Sequence, residues 1–286
     1  MIQTLLTVLE ISVIIAIPSS MFLLAMEAGR PYLTELLGKP KILAKYFLVM
    51  YVLMPAIALL FYFIDAIHHS LWIAVLVISL SPPSPAMIKG IDKLGGNTNL
   101  SVAWMIIAIF ISFIMIPLNL LIIEQILNVD INIGMGALII KLLILFIIPM
   151  TIGFVIHKYF PNVVPAALKI IGLISKIAMI VLIVCLLIIA VPMMFQKNII
   201  DLLLILLFLI ISLAISHFTE RSDNENNGPI LSYSVVSRLP APALVLAGLN
   251  GMTKTYAPDI LSFLILGVIL MAVYNKFFYG KVKSVF

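Results

Sequence analysis

The chain has 286 residues, of which 64% are hydrophobic and only 10% charged, with a mean hydropathy of +1.27. Soluble domains are nearer half apolar and a quarter charged, so this composition excludes a water-soluble fold and makes lipid the solvent for much of the surface. The net charge of +5 and pI of about 9.2 do not point to nucleic acid, because the basic residues fall between apolar runs, as in the cytoplasmic loops of membrane proteins.

The apolar runs are continuous rather than alternating, which predicts an all-α polytopic membrane protein and excludes a spanning barrel. Nine runs are long enough to cross. The first covers about Leu5 to Met26, interrupted by Pro18, and is read as a retained span because it has no basic leader and no small-residue cleavage site. The second runs from about Lys41 to Phe63. The third, about Leu71 to Leu94, contains Ser81-Pro82-Pro83-Ser84-Pro85. The fourth is about Asn99 to Leu127, the fifth Gly136 to Phe160, the sixth Ala166 to Met194 and the seventh Ile200 to Thr219. The eighth, about Pro229 to Leu249, contains Arg238-Leu239-Pro240-Ala241-Pro242, and the ninth is about Pro258 to Phe278. The polar stretch 220–228 is the clearest loop, and no loop is long enough for a separate soluble domain.

Alternate loops, starting after the first span, hold Arg30, Lys39, Lys41, Lys45, Lys93, Lys158, Lys169, Arg221, Lys276, Lys281 and Lys283; the other side holds Lys141, Lys197 and Lys254. This asymmetry predicts a multi-pass protein of the cell membrane with the N-terminus outside and the C-terminus in the cytoplasm.

A proline inside a helix removes a donor and clashes with the carbonyl one turn back, so Pro82, Pro83 and Pro85 cannot share one continuous helix. In lipid, opened backbone is tolerated only against protein or a wet cavity, and such breaks mark transporter binding sites. The eighth run repeats the pattern. Pro83-Ser84-Pro85-Ala86 matches Pro240-Ala241-Pro242-Ala243 at an offset of 157 residues, each after a serine, Ser81 or Ser237. About five spans separate the two copies, so they enter the membrane from opposite sides, as inverted repeats require. Two discontinuous crossing helices, the third and eighth spans, are therefore expected. The alternative is a chance match of residues common in membrane helices.

The residues around the breaks resemble the bile acid:sodium symporter family. The resemblance rests on the run Met21 to Gly29 followed by Gly38-Lys39-Pro40 and Leu53-Met54-Pro55, on Pro82 to Ala103 ending Gly96-Asn97-Thr98-Asn99-Leu100-Ser101-Val102-Ala103, and on Ile147 to Lys158 with Pro149, Gly153 and His157-Lys158. It implies a divergent bacterial-type member without the family's first helix. It also implies panel-like helices at about 1–63 and 134–194, core-like helices at about 71–127 and 198–279, organic anion substrates and alternating access. Sodium-using members carry Ser-Asn after the first break, where this chain has Met87-Ile88, and a Glu followed by Gln-Asn at the second, where it has Ser234 and then Arg238-Leu239. Ser101 keeps its hydroxyl. Thioether and alkyl groups cannot replace oxygen ligands, so the family's sodium sites are expected to be lost.

Lys89 and Arg238 stand near the breaks instead. A cation at membrane depth needs a partner, water or a route to the interface, so either can supply the missing positive charge and attract an anion, helped by the half-helix N-termini; Lys89 can alternatively snorkel to the cytoplasmic side. The substrate-binding candidates are Pro82, Pro83, Ser84, Pro85, Lys89, Ser234, Ser237, Arg238, Pro240 and Pro242, and the candidates for coupling are Asp92 and Ser101. Asp92, three residues after Lys89, can pair with it on one helix face. Lys176 lies about 15 Å into its span and needs a partner or a cavity. Glu10 and Glu124 are expected to be solvated near the outer ends, and His217 to be a snorkelling tip near a cytoplasmic helix end. His68-His69 has no carboxylate or Cys pattern around it, and the single cysteine, Cys185, cannot form a disulfide within the chain, so neither a metal nor another cofactor is expected. No Walker loop, G-x-S-x-G or H-E-x-x-H is present, so the chain is not expected to be an enzyme or an ATP-driven pump.

Three functions remain open. The leading one is a secondary active or facilitative transporter of an organic anion, independent of sodium, with lipid as its surroundings. The others are a cation/proton antiporter of related fold, which needs buried carboxylates at the crossing, and a membrane protein that binds ligand without transport.

Overall fold

Lipid offers the backbone no hydrogen bonds, so each apolar run must satisfy its own polar groups, and it does so as helix. The computed structural model describes residues 2–27, 30–64, 69–127, 134–194, 197–221 and 227–279. Within these, seven helices are long and apolar enough to cross a membrane. His68, Lys281, Lys283 and residues 222–226 of the polar stretch lie outside the described residues.

In chain order the helices are α1 (Ile2–Glu27), α2 (Arg30–Leu37), α3 (Pro40–Leu48), α4 (Met54–Leu60), α5 (His69–Leu80), α6 (Ala86–Lys93) and α7 (Thr98–Leu127). They continue with α8 (Met135–Leu142), α9 (Ile148–Tyr159), α10 (Val164–Met194), α11 (Ile199–Arg221), α12 (Ile230–Val236), α13 (Ala241–Leu249) and α14 (Thr253–Phe278). Pro18, expected to interrupt the first run, lies inside the continuous α1, and Ser19 and Ser20 turn their hydroxyls onto the Ile15 and Ala16 carbonyls beside it. Two spans carry a widened turn of π type just before a proline, Val49–Leu53 before Pro55 and Leu143–Ile147 before Pro149. The wide turn accommodates a residue that has no donor to give back to the preceding carbonyl.

α1 lies along α9 and α10, tied to them by Ser20 Oγ against Ser175 Oγ at 2.9 Å and by His157 Nδ1 at the Met26 carbonyl at 2.6 Å. α14 packs most extensively against α10 and also against α11, α5 and α13, while α11 lies against α12 and α14. The span α3–α4 packs on α5, the first half of the interrupted third span, and reaches α11. Near the loop ends, Asn97 caps α7: its Oδ1 accepts the Leu100 N–H at 2.9 Å, its Nδ2 donates to Glu35 at 3.1 Å, and its own N–H donates to the Asn227 carbonyl at 3.0 Å. Gly228 has φ +74°, and a Cβ there would come within 2.8 Å of Gly96 Cα, so this junction needs both glycines.

Gly153 lets α9 approach α1 closely. A Cβ at this position would sit 2.5 Å from the Phe22 carbonyl oxygen and 2.9 Å from Ala25 Cβ. Because the first obstacle is backbone, Gly153→Val should force the helices apart and cost about 2 kcal/mol, read as a lowered midpoint of thermal unfolding in detergent.

Candidate functional site

Both proline clusters open the helix that carries them. α5 ends at Leu80 and α6 begins at Ala86; α12 ends at Val236 and α13 begins at Ala241. The two opened segments lie against each other as an isolated antiparallel bridge between Pro83 and Arg238. The Ser84 N–H donates to the Ser237 carbonyl at 2.7 Å, and the Leu239 N–H donates to the Pro82 carbonyl at 2.9 Å. Each break thus satisfies backbone groups of the other, which allows extended chain to persist inside an apolar bundle.

Arg238 locks this crossing. It is only 1% exposed. Its Nη1 donates to the Ser81 carbonyl at 2.7 Å and its Nε to the Val235 carbonyl at 3.3 Å. Those carbonyls close the C-terminal ends of α5 and α12, the negative poles of two half-helices, where a cation is favourable. Ser81 and Arg238 are also 157 residues apart, the offset between the two proline motifs. The third guanidinium nitrogen, Nη2, is buried and has no acceptor among the described residues. Tyr51 lies within electrostatic range of the guanidinium and fixes its hydroxyl on the Ala108 carbonyl at 2.7 Å and Ser112 Oγ at 2.8 Å. A void of about 10 Å³ touches Pro82, Ser112 and Pro242, room for at most one water.

The other candidate residues divide into those the fold gathers and those it does not. Pro82, Pro83, Ser84, Ser237, Arg238 and Pro240 lie at the crossing, with Pro85 and Pro242 starting the half-helices α6 and α13. Ser234 is buried one turn before the break; it donates to the Ile230 carbonyl at 2.6 Å, accepts from Trp104 Nε1 at 3.1 Å and touches Met87 Sδ at 3.0 Å. Ser101 is buried and donates to the Asn97 carbonyl at 2.8 Å. Lys89 and Asp92 are exposed on α6, away from the bridge, and among the described residues no ion pair joins them. Lys176 lies on an exposed face of α10, flanked by the exposed Leu173 and Ile177 rather than by a buried partner.

Sequence reading missed two polar centres. Asp201 and Asp259 are each 1% exposed. Lys197 Nζ reaches Asp259 Oδ1 at 2.6 Å and Asp201 Oδ2 at 3.9 Å, joining the start of α11 to α14. Asp201 lies four residues after Lys197, but Asp259 is 62 residues away from it, and only the fold unites them. The second centre stands at the N-terminus of α12. Glu220, expected in a loop, ends α11 and accepts from the Leu231 N–H, from the Ser232 N–H at 3.3 Å and from the Ser232 hydroxyl at 2.6 Å. His217, expected as a surface tip, is buried instead, with Nδ1 2.7 Å from the Tyr274 hydroxyl. An acidic cap and an aromatic partner hold both groups inside the bundle.

Seven long apolar helices, two interrupted ones and backbone shared between the interruptions define a polytopic helical membrane protein of the solute-transporter class. A model of the Sodium Bile acid symporter family matches residues 11–201, about two thirds of the chain, and the chain belongs to that family. It is accordingly a transporter-family protein and not an enzyme. The match includes the first break and ends before Arg238 and the second. Comparison with curated proteins gives no match.

Removing Lys197 leaves two buried carboxylates facing each other across α11 and α14. Lys197→Met should therefore destabilise the protein by about 3 kcal/mol, and Lys197→Met combined with Asp259→Leu should recover part of the loss, both read from thermal unfolding of the purified protein.

Proposed function

We propose that the chain carries organic anions across the membrane by alternating access and that it does so without the sodium ions of its family. The observation that carries this reading is Arg238, a buried cation bonded to the ends of two half-helices with one N–H-bearing nitrogen left over. A fixed guanidinium does two things that a bound sodium does in relatives: it holds the crossed segments together and supplies positive charge for an anion. The sodium positions support the same view. Met87 and Ser234, which stand where relatives place oxygen ligands, fill each other's space through a thioether–hydroxyl contact at 3.0 Å.

In this reading the two interrupted helices add two crossings to the seven long ones, giving nine spans arranged as inverted repeats around Pro83 and Arg238. The excess of Lys and Arg on alternate loops puts the N-terminus outside and the C-terminus in the cytoplasm. α1, α8, α9 and α10 form the panel, and the remaining spans form the core; α3–α4 joins the core because it packs on α5. Pro82, Pro83, Ser84, Pro85, Ser237, Pro240 and Pro242 shape the substrate site, Ser234 and Arg238 supply its polar groups, and Lys89 meets the substrate from the cytoplasmic side of α6.

A second reading draws on the Lys197, Asp201 and Asp259 cluster. A cation/proton antiporter needs buried carboxylates, and Asp201 and Asp259 are buried, although the bridge between the breaks does not include them.

Counterflow of labelled bile-acid and short-chain carboxylates in liposomes separates these readings. The anion reading expects uptake that is the same with and without sodium, and a fall of at least about tenfold in Arg238→Gln. Uptake that requires sodium, or full activity in Arg238→Gln, overturns it. A pH change driven by a monovalent cation gradient supports the antiporter, and ligand binding with no flux marks a non-transporting protein.

A further inference from the structure

A cavity of about 400 Å³ opens between α1, α8 with its widened turn, and the α13–α14 end. Its size is that of a small-molecule site, and its walls are mainly apolar, with a few polar groups, as such sites require. Leu9, Leu244 and Val245 form part of the apolar wall; Glu10 and Lys141 are its two charges, and Thr253 adds a hydroxyl. Leu244 comes three residues after Ala241, where the half-helix α13 begins, so the cavity ends about one turn from the crossing.

The two charges are misplaced for a simple surface. Glu10 is eight residues past the start of α1, about 12 Å along the axis, and Lys141 is six residues past the start of α8, about 9 Å. Ile140, beside Lys141, is 59% exposed, the mark of a face turned to lipid, while Ile14, one turn after Glu10, lines the cavity itself. An ionised group on a membrane-spanning helix is costly unless it meets a partner or water or lines a cavity. These two line the same cavity, and among the described residues neither forms an ion pair or a side-chain hydrogen bond. An anion and a cation held in one apolar-walled space, and not satisfied by each other, are complementary to a molecule that carries the opposite pair.

We propose that this cavity binds an apolar zwitterion, with its carboxylate at Lys141, its ammonium group at Glu10 and its apolar body against Leu9, Leu244 and Val245. Free aliphatic and aromatic amino acids have this chemistry. The cavity is separate from the crossing and does not include Arg238, so the proposal goes beyond the transport reading above rather than restating its site.

The test measures binding rather than flux, so that it stands apart from the test of Arg238. Purified full-length protein in nanodiscs is titrated with leucine, methionine and phenylalanine, and with the N-acetyl and amide derivative of each. At least one free amino acid should bind at least about tenfold more tightly than both of its derivatives, because each derivative leaves one of the cavity's two charges unmatched. Glu10→Gln should erase the preference over the N-acetyl form, Lys141→Gln the preference over the amide, and the swapped pair Glu10→Lys with Lys141→Glu should restore both. Equal binding of free and N-acetyl forms, with no effect of Glu10→Gln, overturns the zwitterion and leaves the anion reading in place. Binding of none of the free amino acids also overturns it, whatever the outcome of the counterflow experiment.

Discussion

Opened backbone inside a bilayer must find hydrogen bonds within the protein, and at this crossing Arg238 is what lets it do so. The prolines that break α5 and α12 leave carbonyls at the ends of both half-helices. Two main-chain bonds between the opened segments satisfy some of these groups, and the guanidinium takes the Ser81 and Val235 carbonyls. The cation at the crossing is part of the chain itself, and side chains pack around it. Ser234 bonds the Ile230 carbonyl and the Trp104 indole and rests on Met87, so the space beside the break is filled by side chains.

The rest of the core hangs from this point. α6 and α12 meet closely because Gly90 faces Tyr233: a Cβ on Gly90 would come within 2.2 Å of the Tyr233 ring. Tyr233 is held in turn by Asn275 Nδ2, which donates to its hydroxyl at 2.6 Å from α14. Glu220 fixes the N-terminal end of α12, while Lys197 and Asp259 tie α11 to α14 at their other end. The half-helices are thus anchored where they cross and again where they leave the crossing. Each anchor is a polar contact in an apolar bundle, where its loss leaves a desolvated partner behind.

How much of this was legible in the sequence follows from how far each signal reaches along the chain. The breaks were readable because three prolines in four residues forbid a helix whatever lies around them. Arg238 was readable because it sits two residues before Pro240 in an apolar run. That the two breaks touch was readable only through their likeness at an offset of 157 residues. The Lys197 cluster carries no local mark: Asp201 looks like an ordinary acidic residue in the first turn of a helix, and Asp259 stands alone after Pro258. Glu220 and His217 look like loop and tip because they adjoin a polar stretch, but the fold turns both inward. Lys89 and Asp92 failed in the opposite way. Their spacing permits a pair, yet on an exposed face water competes for both charges, and nothing in the fold forces them together. Pro18 shows the same limit, since one proline bends the expectation of a helix without deciding it.

Alternating access needs two bodies, each stiff within itself, that slide past each other. The polar contacts named for α1 run to α9 and α10, through Ser20–Ser175 and Met26–His157, and Gly153 lets these helices close to backbone contact. Those of the crossing run among α5 through α7 and α11 through α14. The cavity with Glu10 and Lys141 lies between α1, α8 and the α13–α14 end. A ligand seated there touches all of these helices at once. Its affinity then depends on their relative position, which is the condition for binding to drive a change of conformation. In the proposed transport cycle Arg238 would keep the crossing intact, because its two carbonyl bonds tie both half-helix ends together.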